Sequence, residues 1–231
     1  PSVGDGNGDL YGLVSPHAGY PYSGSVAAHG FGALAESGRP ESVVLVGPNH
    51  SARGKDVAVT EADAWETPLG TVEVDDDLRQ AVLDTSELVV ADEPTHAGEH
   101  SLEVQVPYLQ YLYDEVPTIV PIVMTRQDEA IASRLASDLA AALATVDHTV
   151  PIVASTDMTH YEPQAEAERQ DRKAIERMEA LDATGLLQTV SREHITMCGY
   201  GPTATAIACS TIGGAETGEL LRYATSGDTA G

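Results

Sequence analysis

Short apolar runs alternate along this chain with segments of helical spacing, and that alternation restricts the fold more than any other feature. The runs are Leu10–Val14, Ser42–Val46, Val57–Thr60, Leu88–Ala91, Thr118–Met124 and Thr149–Ala154. Continuous runs of this length suit strands buried on both faces. Between them lie helical patterns. Ser25–Glu36 is small and apolar. Leu102, Val106, Leu109 and Tyr113 recur at helical spacing, although Pro107 demands an early-turn position or a kink. Ile131, Leu135, Leu139 and Leu143 mark one face of a helix over Asp128–Ala144. Gln164–Leu181 reads as a charged surface helix and Pro202–Thr211 as a small-residue one. Strands alternating with helices predict an α/β protein, its central sheet mostly parallel or mixed and covered by helices on both faces. No linker, repeat or low-complexity stretch divides the 231 residues, so a single domain over 1–231 is expected. Trp65, in "WETPLGTVEV", is expected to pack a hairpin over the sheet.

Charge narrows the partners. There are 36 acidic residues against 12 basic ones, a formal net of −24, and Lys55 and Lys173 are the lysines. Nucleic acid and anionic membrane call for a basic face that this chain has little to build from. The acid is spread rather than blocked, which reads as salt adaptation in a halophilic cytoplasm. No apolar run approaches the ~18 residues of a membrane span. Two cysteines make no disulfide framework, and a reducing cytoplasm is the simplest setting. The chain starts without Met and stops in "ATSGDTAG", so it is expected to lack native terminal segments.

In open α/β sheets, ligands bind beyond the carboxyl ends of the strands. "SPHAG" with His17 follows the first run, "GPNHS" with His50 the second, and "STDMTH" with Asp157 and His160 the last. Polar loops collect histidines anyway, but three at matching strand ends are less easily chance. Imidazoles meeting at a sheet edge are natural ligands for Zn, Fe or Cu. In "MCGYGPT", Cys198 precedes a turn and a helix. It is either a ligand favoured as thiolate there or a buried small residue. Cys209, inside "TATAIACSTIG", reads as core. "HAGEH", His96–His100, spells the H-x-x-E-H metalloprotease pattern, but Pro94 and Gly98 read as a loop opening a helix. A zinc hydrolase is therefore a minor reading, and a loop bringing His100 or Glu99 near a pocket is preferred. "GDGNGD", Gly4–Asp9, precedes the first strand and is no dinucleotide fingerprint.

Taken in order, "SPHAGYPYSG", "GPNHS", "WETPLG", "THAGEHSLEVQVPYLQ", "STDMTHYEP" and "MCGYGP" resemble the Memo family, also called the AmmeMemoRadiSam system protein B family. The resemblance implies a fold like that of class III extradiol dioxygenases (LigB-like), which are non-haem iron enzymes. It implies a metal site of two histidines and a cysteine, falling on His17, His50 and Cys198. The metal would be iron or copper, with zinc an alternative. It places His160 where those dioxygenases have an acid–base histidine, with Asp157 beside it. Tyr20, Tyr22 and Tyr200, with Glu99 and His100, could line a pocket for a small molecule or peptide. Archaeal and bacterial members are associated with a radical-SAM protein and an AMMECR-type protein. Two functions follow: a metal-dependent oxidoreductase, or a metal- or partner-binding module without turnover.

Overall fold

Neighbouring residues in the central strands face opposite ways, and this splits the apolar side chains into two cores. The computed structural model describes residues 10–230; the Gly4–Asp9 stretch lies outside them. In strand β2 (Ser42–Pro48), Val44 and Val46 join one core while Val43 and Leu45 join the other. In β7 (Thr118–Met124), Val120, Ile122 and Met124 face the first core, Ile119 and Val123 the second. The two-residue period of a pleated strand produces that division, and it explains why these runs are apolar throughout.

Among the described residues, six strands form the sheet in the order β1-β8-β2-β7-β3-β6. The others are β1 (Gly12–Ser15), β8 (Ile152–Ser155), β3 (Val57–Val59) and β6 (Val90–Ala91). Pairing is parallel except between β3 and β7. The sheet is therefore mixed, as expected. β6 is shorter than the run Leu88–Ala91, and β1 and β8 each begin later than their apolar runs and end on a serine. A second sheet is the hairpin β4 (Ala64–Thr67) and β5 (Gly70–Glu73), in which Trp65 pairs with Val72 and packs on the second core.

Helices cover both faces. α1 (Tyr20–Glu36) and α4 (Val106–Leu112) close the second core with Phe31, Leu34 and Leu109. α5 (Glu129–Leu143), α6 (Gln164–Glu179) and α8 (Tyr200–Gly213) close the first, with α2 (Asp76–Thr85) and α7 (Ala183–Glu193). The last two were absent from the sequence expectation. Each is started by an aspartate side chain: Asp75 accepts from the Leu78 N–H, and Asp182 from the Gly185 N–H. Two short helices complete the described residues, α3 (Glu93–His96) and α9 (Ser226–Ala230). α1 starts five residues before Ser25 because Pro21 takes a first-turn position, where its missing N–H costs nothing. Pro107 sits the same way at the start of α4, after a 3-10 turn at Glu103–Gln105.

A net charge of −24 on such a domain has a testable consequence. Self-repulsion between carboxylates destabilises the compact state, and screening shortens from ~10 Å at 0.1 M salt to ~3 Å at 1 M. The melting temperature is expected to rise as KCl goes from 0.1 M to molar levels. A flat or falling melting curve would remove the reading of the composition as salt adaptation.

Candidate metal centre

The strands β1, β8 and β2 lie side by side and run in one direction, so their carboxyl ends share one edge of the sheet. His17, Asp157 and His50 each follow one of these ends by two residues. Cys198 arrives from the opposite end of the chain, just before α8, and its N–H donates to the Asp157 carbonyl at 3.2 Å. One ligand atom each from His17, His50 and Cys198 falls within a 4.8 Å cluster. Nε2 of His17 lies 3.3 Å from Sγ of Cys198. Nitrogen and sulfur ligands on one tetrahedral ion, at about 2.1 and 2.3 Å, stand about 3.6 Å apart. The residues thus fit a metal ion with little movement.

The other ring nitrogens are already occupied. Nδ1 of His17 is 2.8 Å from Oγ of Ser155, and Nδ1 of His50 is 2.9 Å from Oε1 of Glu99. Glu99 is buried and also accepts the backbone N–H groups of His50, His100 and Ser101. Burial disfavours its charge, but hydrogen bonds from the His50 ring, the Ser101 N–H and the His50 N–H outweigh that, and its carboxyl is held down at about 2. A carboxylate so engaged orients His50 rather than offering itself as a ligand. Asp157 grips the main chain of the first loop: Oδ1 accepts the N–H groups of His17 and Ala18 at 2.8 and 3.1 Å.

The surroundings of Cys198 pull its thiol both ways. Burial opposes its charge, but hydrogen bonds with His17 and His50 and the Asp157 N–H at 3.1 Å bring its thiol down to about 6. The hydrogen bond to Cys198 is also the first cause that lifts His50 to about 10, with Glu99 next and burial opposing. Cys209 meets none of these partners. It lies in the first core, where burial pushes its thiol up to about 12, as its apolar surroundings foretold.

His100 joins the group. Its ring centroid is 4.7 Å from that of His50 and 5.5 Å from that of His17, and its side chain is 56% exposed. His96 does not. α3 ends at His96 and Gly98 takes φ +80, so "HAGEH" is not one helical face; His96 is buried against Trp65 instead. The remaining expected residues spread wider. His160 hydrogen-bonds Thr196 through its N–H and Nδ1, and none of its described contacts reaches His17, His50 or Cys198. Tyr20 and Tyr22 are half-exposed at the start of α1. Tyr20 donates its hydroxyl to the Val104 carbonyl at 3.2 Å. Tyr200 packs on the first core and lines a separate cleft with Gln127, Leu187, His194 and Ile195. Four supporting residues escaped the sequence reading: Ser101, Gln105, Ser155 and Gln127. Gln127 donates to the Cys198 carbonyl and accepts the Gly201 N–H, pinning both sides of the cysteine turn. Ser155 stood in the quoted "STDMTH" motif, and Ser101 and Gln105 in "THAGEHSLEVQVPYLQ", but as unremarked neighbours of the histidines; Gln127 lay in no quoted motif.

Fold and site together define an α/β protein with two imidazoles and a cysteine sulfur gathered at the carboxyl ends of parallel strands. The model of the Memo-like protein family matches residues 6–231. The chain belongs to that family. It is 46% identical to a MEMO1 family protein of Methanopyrus kandleri over 231 residues, 100% of this chain and 82% of that one. It is 45% identical to a MEMO1 family protein of Methanothermobacter thermautotrophicus over 222 residues, covering 96% and 80%. Among solved structures, an uncharacterised protein from Escherichia coli K12 shares the fold, with a TM-score of 0.59 over 87% of this chain and 89% of that one at 14% identity. No helix among the described residues is long and apolar enough to cross a membrane.

Proposed function

We propose that this Memo-family protein is a non-haem metal-dependent oxidoreductase whose ion is held by Nε2 of His17, Nε2 of His50 and Sγ of Cys198. The observation that carries the reading is the convergence of these three donors within 4.8 Å, with both Nδ1 atoms already committed elsewhere. One soft and two borderline donors suit iron or copper, with zinc as the redox-inert alternative. Such an ion, when bound, supplies an open position for dioxygen or substrate. The chain's own residues do the rest. Glu99 and Ser155 aim the two rings, Asp157 holds the His17 main chain, and His100 stands beside both rings where an incoming molecule would meet it. His160 remains the candidate for moving protons through its Nε2, since Nδ1 is spent on the Thr196 carbonyl. Tyr20 and Tyr22 are candidates for the pocket rim.

A second reading rests on exposure. His50 and His100 are open to solvent at 35% and 56%, so a partner protein or peptide could reach the cluster directly. The site would then carry metal for an associated protein, the radical-SAM and AMMECR-type proteins being the candidates.

The test is metal content by mass spectrometry on untagged protein prepared without oxygen, beside the double variant His17→Ala, Cys198→Ser. About one iron or copper per chain, lost in the variant, is expected. No metal in the wild type, even after reconstitution with Fe(II), Cu(I) and Zn(II), would end the metal reading. Tight stoichiometric metal with no dioxygen uptake on catechols or thiols would favour the carrier over the enzyme.

A further inference from the structure

The hydrogen bonds around Ser155 determine which nitrogen of His17 carries the proton. Ser155 closes β8 and is fully buried. Its hydroxyl has one hydrogen to give and two lone pairs to receive. Three groups surround it: the Ser101 carbonyl at 2.6 Å, Nε2 of Gln105 at 2.9 Å and Nδ1 of His17 at 2.8 Å. A carbonyl only accepts, so the hydroxyl hydrogen goes to Ser101.

Gln105, also fully buried, settles the second place. Its Nε2 lies 3.0 Å from the Pro16 carbonyl. That acceptor orients the amide with its NH2 inward, giving one hydrogen to Pro16 and the other to Ser155. The cost is visible in Oε1, which is buried without a partner among the described residues. One lone pair of Ser155 remains, and it faces Nδ1 of His17. Nδ1 must therefore be the N–H donor, so in the neutral ring it is Nε2, 3.3 Å from Sγ of Cys198, that has a lone pair to offer an ion.

We propose that Ser155, itself held by Gln105, is a positioning residue that keeps His17 protonated on Nδ1 so that Nε2 is presented to the metal. The inference rests on the metal-site reading above and adds a division of labour to it. His50 is backed by a carboxylate, which can itself gain a proton. His17 is backed by a neutral relay that ends on two backbone carbonyls, which cannot. Its tautomer is fixed by the fold alone.

Long-range nitrogen–proton NMR on the metal-free protein reads this directly. In wild type, Nδ1 of His17 is expected in the protonated range. In Ser155→Ala it loses its acceptor, and the hydrogen moves to Nε2, toward Cys198; Nδ1 then shifts to the unprotonated range. Zn(II) binding by Ser155→Ala, measured against a competing chelator, is expected to weaken about 10–100-fold. A protonated Nδ1 in Ser155→Ala would overturn the proposal, even if affinity fell, because a purely structural role leaves the tautomer alone. Ser155→Cys refills the volume with a weak hydrogen-bonding group; it serves if the alanine variant does not fold, and the same shift is expected of it. If wild type binds no Zn(II), the metal reading fails, while the nitrogen shifts still decide whether Ser155 sets the tautomer.

Discussion

Glu99→Ala is expected to lower the stability of the metal-free protein by about 3–5 kcal/mol and to weaken metal binding about 10–100-fold. The carboxylate accepts the N–H of His50 at 2.5 Å, Nδ1 of His50 at 2.9 Å, and the N–H groups of His100 and Ser101 at 2.9 and 2.8 Å. Removing it strands these donors in a buried place, and each costs about 1–3 kcal/mol when left unpaired. It also frees the His50 ring to turn. Urea unfolding and Zn(II) competition measure the two effects. Equal midpoints and equal affinity would show that the carboxylate organises nothing. The same group sets an acid limit. Its carboxyl is held at about 2 against an ordinary 4.5, so its stabilising contribution is complete above about 4.5 and disappears as pH falls through about 2.

Gly199→Ala is expected to cost about 3 kcal/mol and to displace Cys198 from the histidines. φ at Gly199 is −105, so backbone conformation does not demand glycine there. Space does. An added Cβ would collide with the Ser155 carbonyl oxygen and would stand 2.7 Å from Cβ of Thr156. Neither is a flexible side-chain end, so the turn carrying Cys198 must move away from β8. Gly32 in α1 offers the contrast: its Cβ would meet nothing within 4 Å, and Gly32→Ala is expected to stabilise by about 1 kcal/mol through helix propensity. Thermal unfolding of the pair, with thiol alkylation rates at Cys198, checks both. A Gly199→Ala protein as stable as wild type, with an unchanged thiol, would refute the steric account.

Much of the architecture could be read from residue order because burial on both faces leaves a plain mark. The runs at Ser42–Val46 and Thr118–Met124 became the central strands β2 and β7. The four-residue spacing of Ile131, Leu135 and Leu139 became α5. α2 and α7 were missed because each buries little: Leu78 and Val82 in one, and Leu186, Thr189 and Val190 in the other. Short amphipathic helices among charged residues carry a weak pattern, and their aspartate caps were the better signal. The antiparallel pairing of β3 with β7 was not legible either, since direction depends on the partner strand and not on the run itself.

The sequence alone determined that histidines would stand at the ends of strands, because a strand's end and the residue after it are local facts. His17 and His50 follow from that, and the family motifs added Cys198. Only the tertiary structure decided which side chains meet. Ser155 and Gln105 are 50 residues apart and both invisible as site residues, yet they share one hydrogen bond behind His17. Glu99 reaches His50 across 49 residues, while His96, three positions earlier, turns into the core. Strand order β1-β8-β2 brings these loops to one edge, and strand order is a property of long-range packing that no local pattern records.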